Sequence, residues 1–421
     1  MNHLLMKQQR AGSSQRKNSK CVRMNEMKSC GIIAEYNPFH HGHAYQIEQA
    51  RKQSQADVMI IAMSGNFTQR GEPAIFDKWE RAKAALKNGA DLVVEQSVLG
   101  SVQSSDLFAE AGIHLLDALG CDSFSFGAET ADGERLIQLA DQLIQQEAAI
   151  NHVFQSVRND GRTYASQMTD AIQAVLGSSS LPETFWKANS QLGLAYLKAN
   201  LRATRPMEAY LVERMGAGHQ GELDREQQFA SGTAIRQLIH SRKFAEAKQW
   251  MPLKDESSIA HSPAASWTHF WPLLRYRLLL LSPEELRLIY QMEEGIEHRL
   301  KKYAAQADSF DLFINLVKNK RWTWVRLQRL AVYVLLDIRK EMVASYFSQP
   351  PLIRVLGFTE KGRRHLKAIK KTTNSLILTN VSQKNHSYYE KEIQADQIYQ
   401  FGLELKQSEQ NYTRAPIVIK S

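Results

Sequence analysis

The chain has 421 residues, three cysteines (Cys21, Cys30, Cys121) without C-x-x-C spacing, and no run of eighteen apolar residues. Those features exclude a single small domain, a disulfide framework, a zinc ribbon and a membrane-spanning helix, and they predict a cytoplasmic protein. The net charge of +9 divides into +6 over residues 1–30, −7 over 31–265 and +10 over 266–421, which either couples an acidic unit to a polyanion-binding one or is only a solvated basic surface.

Residues 1–27 are polar and basic, lack the apolar core of a signal peptide, and predict a disordered extension outside the fold. From there strands and helices alternate. Residues 31–34 form a short apolar run, 43–52 read as a helix, and "VMIIAM" (58–63) is a second run. "DKWERAKAALKN" (77–88) has helical spacing, with Gly89 placed to end it. "DLVVE" (91–95) is a third strand, 104–120 a capped helix ended by Gly120, and "CDSFSFG" (121–127) a fourth strand. Continuous apolar strands between helices predict a buried parallel sheet, a Rossmann-like α/β domain over 28–255. Residues 130–200 read as largely helical, 207–215 hold another strand, and 231–250 open on a cap and turn helical. Pro252, Pro263 and several serines mark 251–265 as a linker. Beyond it, 270–282, 286–306 and 324–338 are helical, while 351–359 and 374–382 are extended. The expectation is a second, mainly helical α+β domain over 266–421.

Ligands of parallel sheets bind at the carboxyl ends of the strands. "EYNPFHHGH" (35–43) lies at such an end and crowds three histidines around Gly42. His40 and His43 lack acidic or cysteine partners at ligand spacing, so no metal site is expected. Structural histidines are the ordinary alternative, though a poor account of three in one polar turn. The third reading is phosphate handling. A helix N-terminus after a strand offers free N–H groups, Gly42 allows close approach, and His40 and His43 donate hydrogen bonds to a phosphate as charge builds. "SGTAIR" (231–236) supplies a second anion cradle, with Ser231 and Thr233 at a helix start and Arg236 one turn on.

Two further segments stand out. "SGNFTQRGEPA" (64–74) follows the second strand and offers Ser64, Asn66, Gln69 and Arg70 to a small carboxylate or to the RNA end of a reaction; a long surface loop is the alternative. "KNKRWTWVRLQR" (318–329) interleaves Lys318, Lys320, Arg321, Arg326 and Arg329 with Trp322 and Trp324. Cations contact phosphates and aromatics stack on splayed bases, which suits a tRNA loop; an amphipathic helix with its tryptophans in the core is the alternative. "EKGRRHLKAIKK" (360–371) is a second basic run, with Lys361, Arg363 and Arg364 as RNA-binding candidates.

H-x-G-H after a first strand, followed by S-x-T-x-I-R, resembles the HIGH-motif nucleotidylyltransferase superfamily. The blocks "GIIAEYNPFHHGH", "MSGNFTQRGEPAIFDKWERAKAAL", "GADLVVE", "QSSDLFAEAGI", "SFGAE", "RMGAG", "SGTAIR", "KRWTWVRLQR" and "IRVLGFTEKGR" occur in the order of the bacterial tRNA(Met) cytidine acetate ligase family, from about Met27 onward. That resemblance implies an enzyme that uses ATP to activate acetate and then acetylates N4 of the wobble cytidine of elongator tRNA(Met). It implies Mg²⁺ with the ATP, and neither DNA nor a membrane as a partner. It also implies an ATP site that includes Ile32, Ile33, Ala34, Glu35, Tyr36, Asn37, Pro38, Phe39, His40, His41, Gly42, His43, Ala44 and Tyr45, with Gly127, Asn189 and Arg214. Three departures concern the pocket wall: His41 within H-x-G-H where the family has Asn, Glu95-Gln96-Ser97 where it reads Glu-Leu-Pro, and His219-Gln220 where it has Tyr-His. A nucleotidylyltransferase that makes a dinucleotide-type cofactor, and a nucleotide-sensing RNA-binding module without catalysis, are the rival readings.

Overall fold

The computed structural model describes residues 27–156, 164–177, 182–214, 229–252, 264–403 and 409–420. The predicted basic extension, except its last residue, lies outside the described residues, as do His219, Gln220 and most of the predicted linker.

The predicted apolar runs become β1 (Ser29–Ala34), β2 (Val58–Ser64), β3 (Leu92–Gln96), β4 (Ser123–Ala128) and β5 (Glu208–Glu213). Their order is β5-β4-β1-β2-β3, and every pair is parallel. The chain runs outward from β1 through β3, then returns to the other side of β1 for β4. The crevice between β1 and β4 is therefore the topological switch point, where ligands of such sheets bind.

Helices cover both faces. β2 shows why its run is unbroken: all seven residues are buried. Val58, Ile60 and Ala62 pack on the face of α4 (Ser105–Ala118) and α8 (Ala188–Leu201), through Phe108, Leu116, Leu194 and Leu197. Met59, Ile61 and Met63 pack on the opposite face, against α1 (His41–Ser54) and α2 (Lys78–Lys87), through Ile47, Trp79 and Leu86. Between these, α3 (Val98–Ser101) precedes α4, and α5 (Gly133–Gln145), α6 (Glu147–Ser156) and α7 (Tyr164–Leu176) fill the stretch read as helical.

The C-terminal part departs from the expectation of a separate domain. Its strands β6 (Ile353–Thr359), β7 (Ile377–Leu378) and β8 (Ile417–Ile419) form no sheet of their own. β6 joins the edge of the first sheet antiparallel to β3, and β7 and β8 pair with β6. The reason is an edge: β3 would otherwise leave its backbone N–H and C=O groups unpaired. The part that stands beside the sheet is the helical body of α11 (Trp267–Leu280), α12 (Pro283–Arg287), α13 (Ile296–Gln306), α14 (Phe310–Val317), α15 (Trp324–Leu335) and α16 (Lys340–Ser348). Ahead of it come α9 (Gly232–His240) and α10 (Phe244–Lys248). The run predicted as one helix over 286–306 is interrupted over 288–295, a stretch that includes two left-handed residues, Gln291 (φ +56°) and Gly295 (φ +90°), the second the N-cap of the next helix.

Two buried cations on α2 tie these parts together. Lys78 Nζ donates to Glu95 of β3 at 2.8 Å, to Asp396 of α18 (Glu390–Phe401) at 2.6 Å and to Tyr389 at 2.9 Å. Tyr389 donates in turn to Glu95. Burial opposes the Lys78 ammonium, but Asp396 and Glu95 outweigh it and raise its pKa. One turn on, the Arg81 guanidinium donates to the carbonyls of Glu35 (2.6 Å), Ser64 (3.1 Å), Gly65 (2.5 Å) and Phe76 (3.0 Å).

Removing one partner of a buried ion pair leaves an uncompensated charge, which costs about 3–5 kcal/mol. Lys78→Met should lose that much in urea unfolding at pH 7, and tryptophan fluorescence and circular dichroism should trace one shared transition. Two separated transitions in the native protein would show that the C-terminal strands are not integral to the sheet.

Candidate nucleotide-binding site

The crevice at the switch point is an open cleft lined by His40, Gly42, His43, Tyr45, Gln46, Gly127, Val212, Glu213, Arg214, Phe229, Ala230 and Ser231. β1 leads into the histidine turn, Gly127 belongs to β4, and Arg214 follows β5 directly. Ser231 comes from the second motif. It caps α9, its hydroxyl accepting from the Ala234 amide at 3.2 Å. The two motifs, far apart in sequence, are bonded to each other: Arg236 Nη1 donates to the Asn37 carbonyl at 2.8 Å. Arg236 also donates to Thr233 Oγ1 at 3.2 Å and pairs with Glu72 at 3.5 Å. It therefore positions the histidine turn, and the cleft lining comes from its neighbour Ser231.

His40 is the N-cap of α1 in extended backbone conformation. Its N–H donates to His43 Nδ1 at 3.3 Å, and the two rings stack with centroids 3.7 Å apart. A neutral imidazole accepts on one nitrogen and donates from the other, so the proton of His43 sits on Nε2. Desolvation, with Arg214, His41 and Arg236 adding repulsion, pushes His40 down to about 3. Desolvation, then His40 and Arg214, lower His43 well below the ordinary value. Both rings are neutral at pH 7, each with a single N–H to give. The Gly42 amide makes no hydrogen bond among the described residues and opens onto the cleft. A Cβ there would meet the His40 ring at 3.0 Å, so Gly42 makes room for an imidazole.

The guanidinium of Arg214 completes the cleft. Its alkyl chain lies over Gly127, where a Cβ would come within 3.3 Å. Desolvation beside the cleft lowers its pKa, partly offset by Glu129, although the residue keeps an exposed surface. An arginine, the free amide of Gly42 at a helix start and a neutral N–H donor form a set suited to phosphate.

The rest of the predicted set divides. Ile32, Ala34, Tyr36 and Phe39 pack in the core on one face of the sheet and Ile33 on the other. Asn37 accepts from the Ile75 amide at 2.7 Å and holds the loop, and the Asn37-Pro38 peptide is cis. The His41 amide donates to the Trp250 carbonyl at 3.0 Å. Ala44 packs with the core rather than lining the cleft. Asn189 lies outside the lining: its amide and side chain bond Glu129, which starts just past β4 and also takes Ser190. Of the loop residues, Ser64 and Asn66 are buried, and Asn66 Nδ2 is committed to Asp396 and Gln410, both at 2.8 Å. Gln69 stays near the site, its amide donating to Glu35, while Arg70 is exposed.

The basic segment resolves against the stacking expectation at one residue. Trp322 is 4% exposed and belongs to the core of the helical body, so it offers no face to a base. Arg326 lies 3.9 Å over its ring, and Arg321 and Arg326 both pair with Glu293. Arg329 is largely buried, its backbone against Gly71. Lys318, Lys320, Lys361, Arg363 and Arg364 are exposed, the last two paired with Glu360. Sequence reasoning missed Gln46, Val212, Glu213, Phe229 and Ala230, which carry no motif of their own.

Comparison with known proteins bears on this cleft. The model of the HIGH nucleotidyl transferase family matches residues 27–414. The tRNA(Met) cytidine acetate ligase of Latilactobacillus sakei is 39% identical over 93% of this chain and 97% of its own. The chain belongs to the tRNA(Met) cytidine acetate ligase family. The Listeria monocytogenes relative of the same name is 38% identical over 89% of this chain and 94% of its own. The crystal structure of Thermotoga maritima TmcAL superposes with a TM-score of 0.85 at 29% identity, over 94% of this chain and all of that one. A second crystal form, bound with alpha-thio ATP, gives a TM-score of 0.84.

Neutral burial of His40 has a sign that can be tested. Its folded pKa lies below the unfolded value of about 6.5, so its contribution to stability is complete above that pH and declines as pH falls. The decline is about 1.4 kcal/mol per pH unit below 6.5. Between pH 7 and 5, wild type should lose roughly 2 kcal/mol more than His40→Gln by urea unfolding. Parallel losses would mean that His40 is protonated in the fold.

Proposed function

We propose that this chain is an ATP-dependent ligase that activates acetate as acetyl-adenylate and acetylates N4 of the wobble cytidine of elongator tRNA(Met). The observation that carries this is the cleft at the β1/β4 switch point, where His40, Gly42, His43, Gly127, Arg214 and Ser231 meet. The family membership and the nucleotide-bound relative support the same reading.

In the first step an acetate oxygen attacks the α-phosphorus of ATP and pyrophosphate leaves. Charge grows on phosphate oxygens where the Gly42 amide, the His43 N–H and the Arg214 guanidinium can receive it. In the second, the cytidine N4 attacks the acetyl carbonyl and AMP leaves. Mg²⁺ would supply charge neutralisation on the phosphates. Among the described residues no cluster of three or more His, Cys, Asp or Glu side chains could hold a metal. Glu213 alone lines the cleft as a carboxylate, which fits an ion carried mainly by the phosphates.

The RNA partner would dock on exposed cations, Lys318 and Lys320 beside the helical body and Lys361, Arg363 and Arg364 on α17 (Glu360–Ile369). RNA rather than DNA is the polyanion, and the setting is the cytoplasm. Among the described residues no helix is long and apolar enough to cross a membrane.

Labelled acetate, ATP and total tRNA should together yield labelled RNA. Label passing instead from the α-phosphate of ATP to a small acceptor would favour a cofactor-type nucleotidylyltransferase, and no transfer at all a non-catalytic binder. His40→Ala and His43→Ala should each lower acetate-dependent pyrophosphate exchange by roughly a hundredfold or more, the scale of removing one charge-stabilising donor. Replacing Lys361, Arg363 and Arg364 by Gln should flatten the salt dependence of tRNA binding by about one unit for each phosphate no longer neutralised, with ATP affinity unchanged.

A further inference from the structure

The second step needs a base. The N4 amine of cytidine is a weak nucleophile, and it must give up a proton as its nitrogen becomes acylated. The Nδ1 atom of neither cleft imidazole is placed to take it. His43 Nδ1 already accepts from the His40 amide, and His40 Nδ1 is buried against Gly42.

Three carboxylates stand at or just past the carboxyl ends of the central strands: Glu35 after β1, Glu95 at the end of β3 and Glu129 after β4. Glu95 is committed to Lys78 and Tyr389. Glu129 accepts with both oxygens from Asn189 and Ser190 at the start of α8. Glu35 differs. Its Oε1 accepts from the Gln69 amide, and its Oε2 has no hydrogen-bond partner among the described residues.

The sheet register places Glu35 between the two reactants. Ala34 pairs with Met63 on β2, so Glu35 emerges level with Ser64, where the loop 64–76 begins. On the other side Ile32 pairs with Ser125 of β4, so Glu35 is level with Ala128, next to the cleft residue Gly127. The candidate nucleotide cleft lies to one side of this strand end and the loop to the other. Arg81 fixes the Glu35 carbonyl from below, and Gln69 fixes its carboxylate; Gln69 Nε2 is itself tied to the Gln103 carbonyl at 2.9 Å.

We propose that Glu35 is the general base of acyl transfer, receiving on Oε2 the proton that the cytidine N4 amine loses. The proposal rests on the ligase reading above. The N4 lone pair forms the N–C bond to the acetyl carbonyl. The C–O bond to the α-phosphate breaks, and AMP leaves with that electron pair. The proton passes to Glu35 and then to solvent, so no oxidant or further reactant is needed.

The surroundings suit this task. Burial raises the Glu35 pKa; Glu72 adds to the shift, and Arg70 and Arg236 oppose it. Arg81 of α2 and Tyr196 of α8 are the other titratable groups that face it. A carboxylate with a raised pKa is a stronger base than an exposed one.

The test separates the half-reactions. Wild type and Glu35→Gln are compared for acetate-dependent exchange of labelled pyrophosphate into ATP, and for transfer of labelled acetyl groups to tRNA(Met) across a pH series. Glu35→Gln should keep exchange, which also reports that it folds, and lose transfer by roughly 10²–10⁴-fold, the span of general-base catalysis. The wild-type transfer rate should rise with pH through a limb that the variant lacks. Transfer at the wild-type rate, an unchanged pH limb, or equal loss of exchange and transfer overturns the assignment. A transfer-specific loss in Glu213→Gln with Glu35→Gln unaffected overturns it in favour of the cleft carboxylate. Wild type without acetate-dependent exchange would instead overturn the ligase reading, and would do so before any variant is compared.

Discussion

One turn of helix α2 sets two positive charges inside the protein, and much of the architecture is arranged to keep them there. Lys78 is fully buried, with Glu95 and Asp396 as counterions. Asp396 lies more than three hundred residues away in sequence, so the chain must fold its C-terminal helix back onto the sheet. Among the described residues Arg81 forms no ion pair with a carboxylate. Its guanidinium is satisfied by carbonyl oxygens of the β1 and β2 ends and the loop beyond. Strand ends normally fan apart into loops. Here one planar fork holds two of them at fixed spacing, and the histidine turn and the loop 64–76 inherit that spacing.

This also explains why the fold was only partly legible. Continuous apolar runs announced the parallel strands, and H-x-G-H at a strand end announced the position of the cleft. Both signals are local. The C-terminal strands 353–359 and 377–378 were visible as extended segments, but their partners were not, since pairing with β3 is settled by an open edge far upstream. Lys78 and Arg81 read as ordinary charges of an amphipathic helix. Nothing in "DKWERAKAAL" says that two of its cations face inward, because burial of a charge depends on partners elsewhere in the chain.

The site residues divide on the same principle. Those within or beside a motif, His40, Gly42, His43, Tyr45, Gly127, Arg214 and Ser231, converge on one cleft. Arg236, expected to bind an anion, bonds the Asn37 carbonyl and stands outside the cleft lining. Trp322 was offered to a base and is spent on the core. In each case residue type was read correctly as capable of the contact. The competing claim of a nearby backbone group or apolar cluster decided its use.

The loop 64–76 carries one more lesson. Gly71, at φ +75°, sits so close to α15 that a Cβ would fall on backbone atoms of Gln328 and Arg329, and its carbonyl accepts from Trp267 Nε1 at 2.9 Å. Backbone touches backbone, with no side chain to act as a cushion. The helix carrying the basic segment and the loop beside Glu35 therefore behave as one stiff piece. A substitution that shifts the backbone of α15 would be felt in the loop beside Glu35, so the helix and the strand-end loop cannot be altered in isolation.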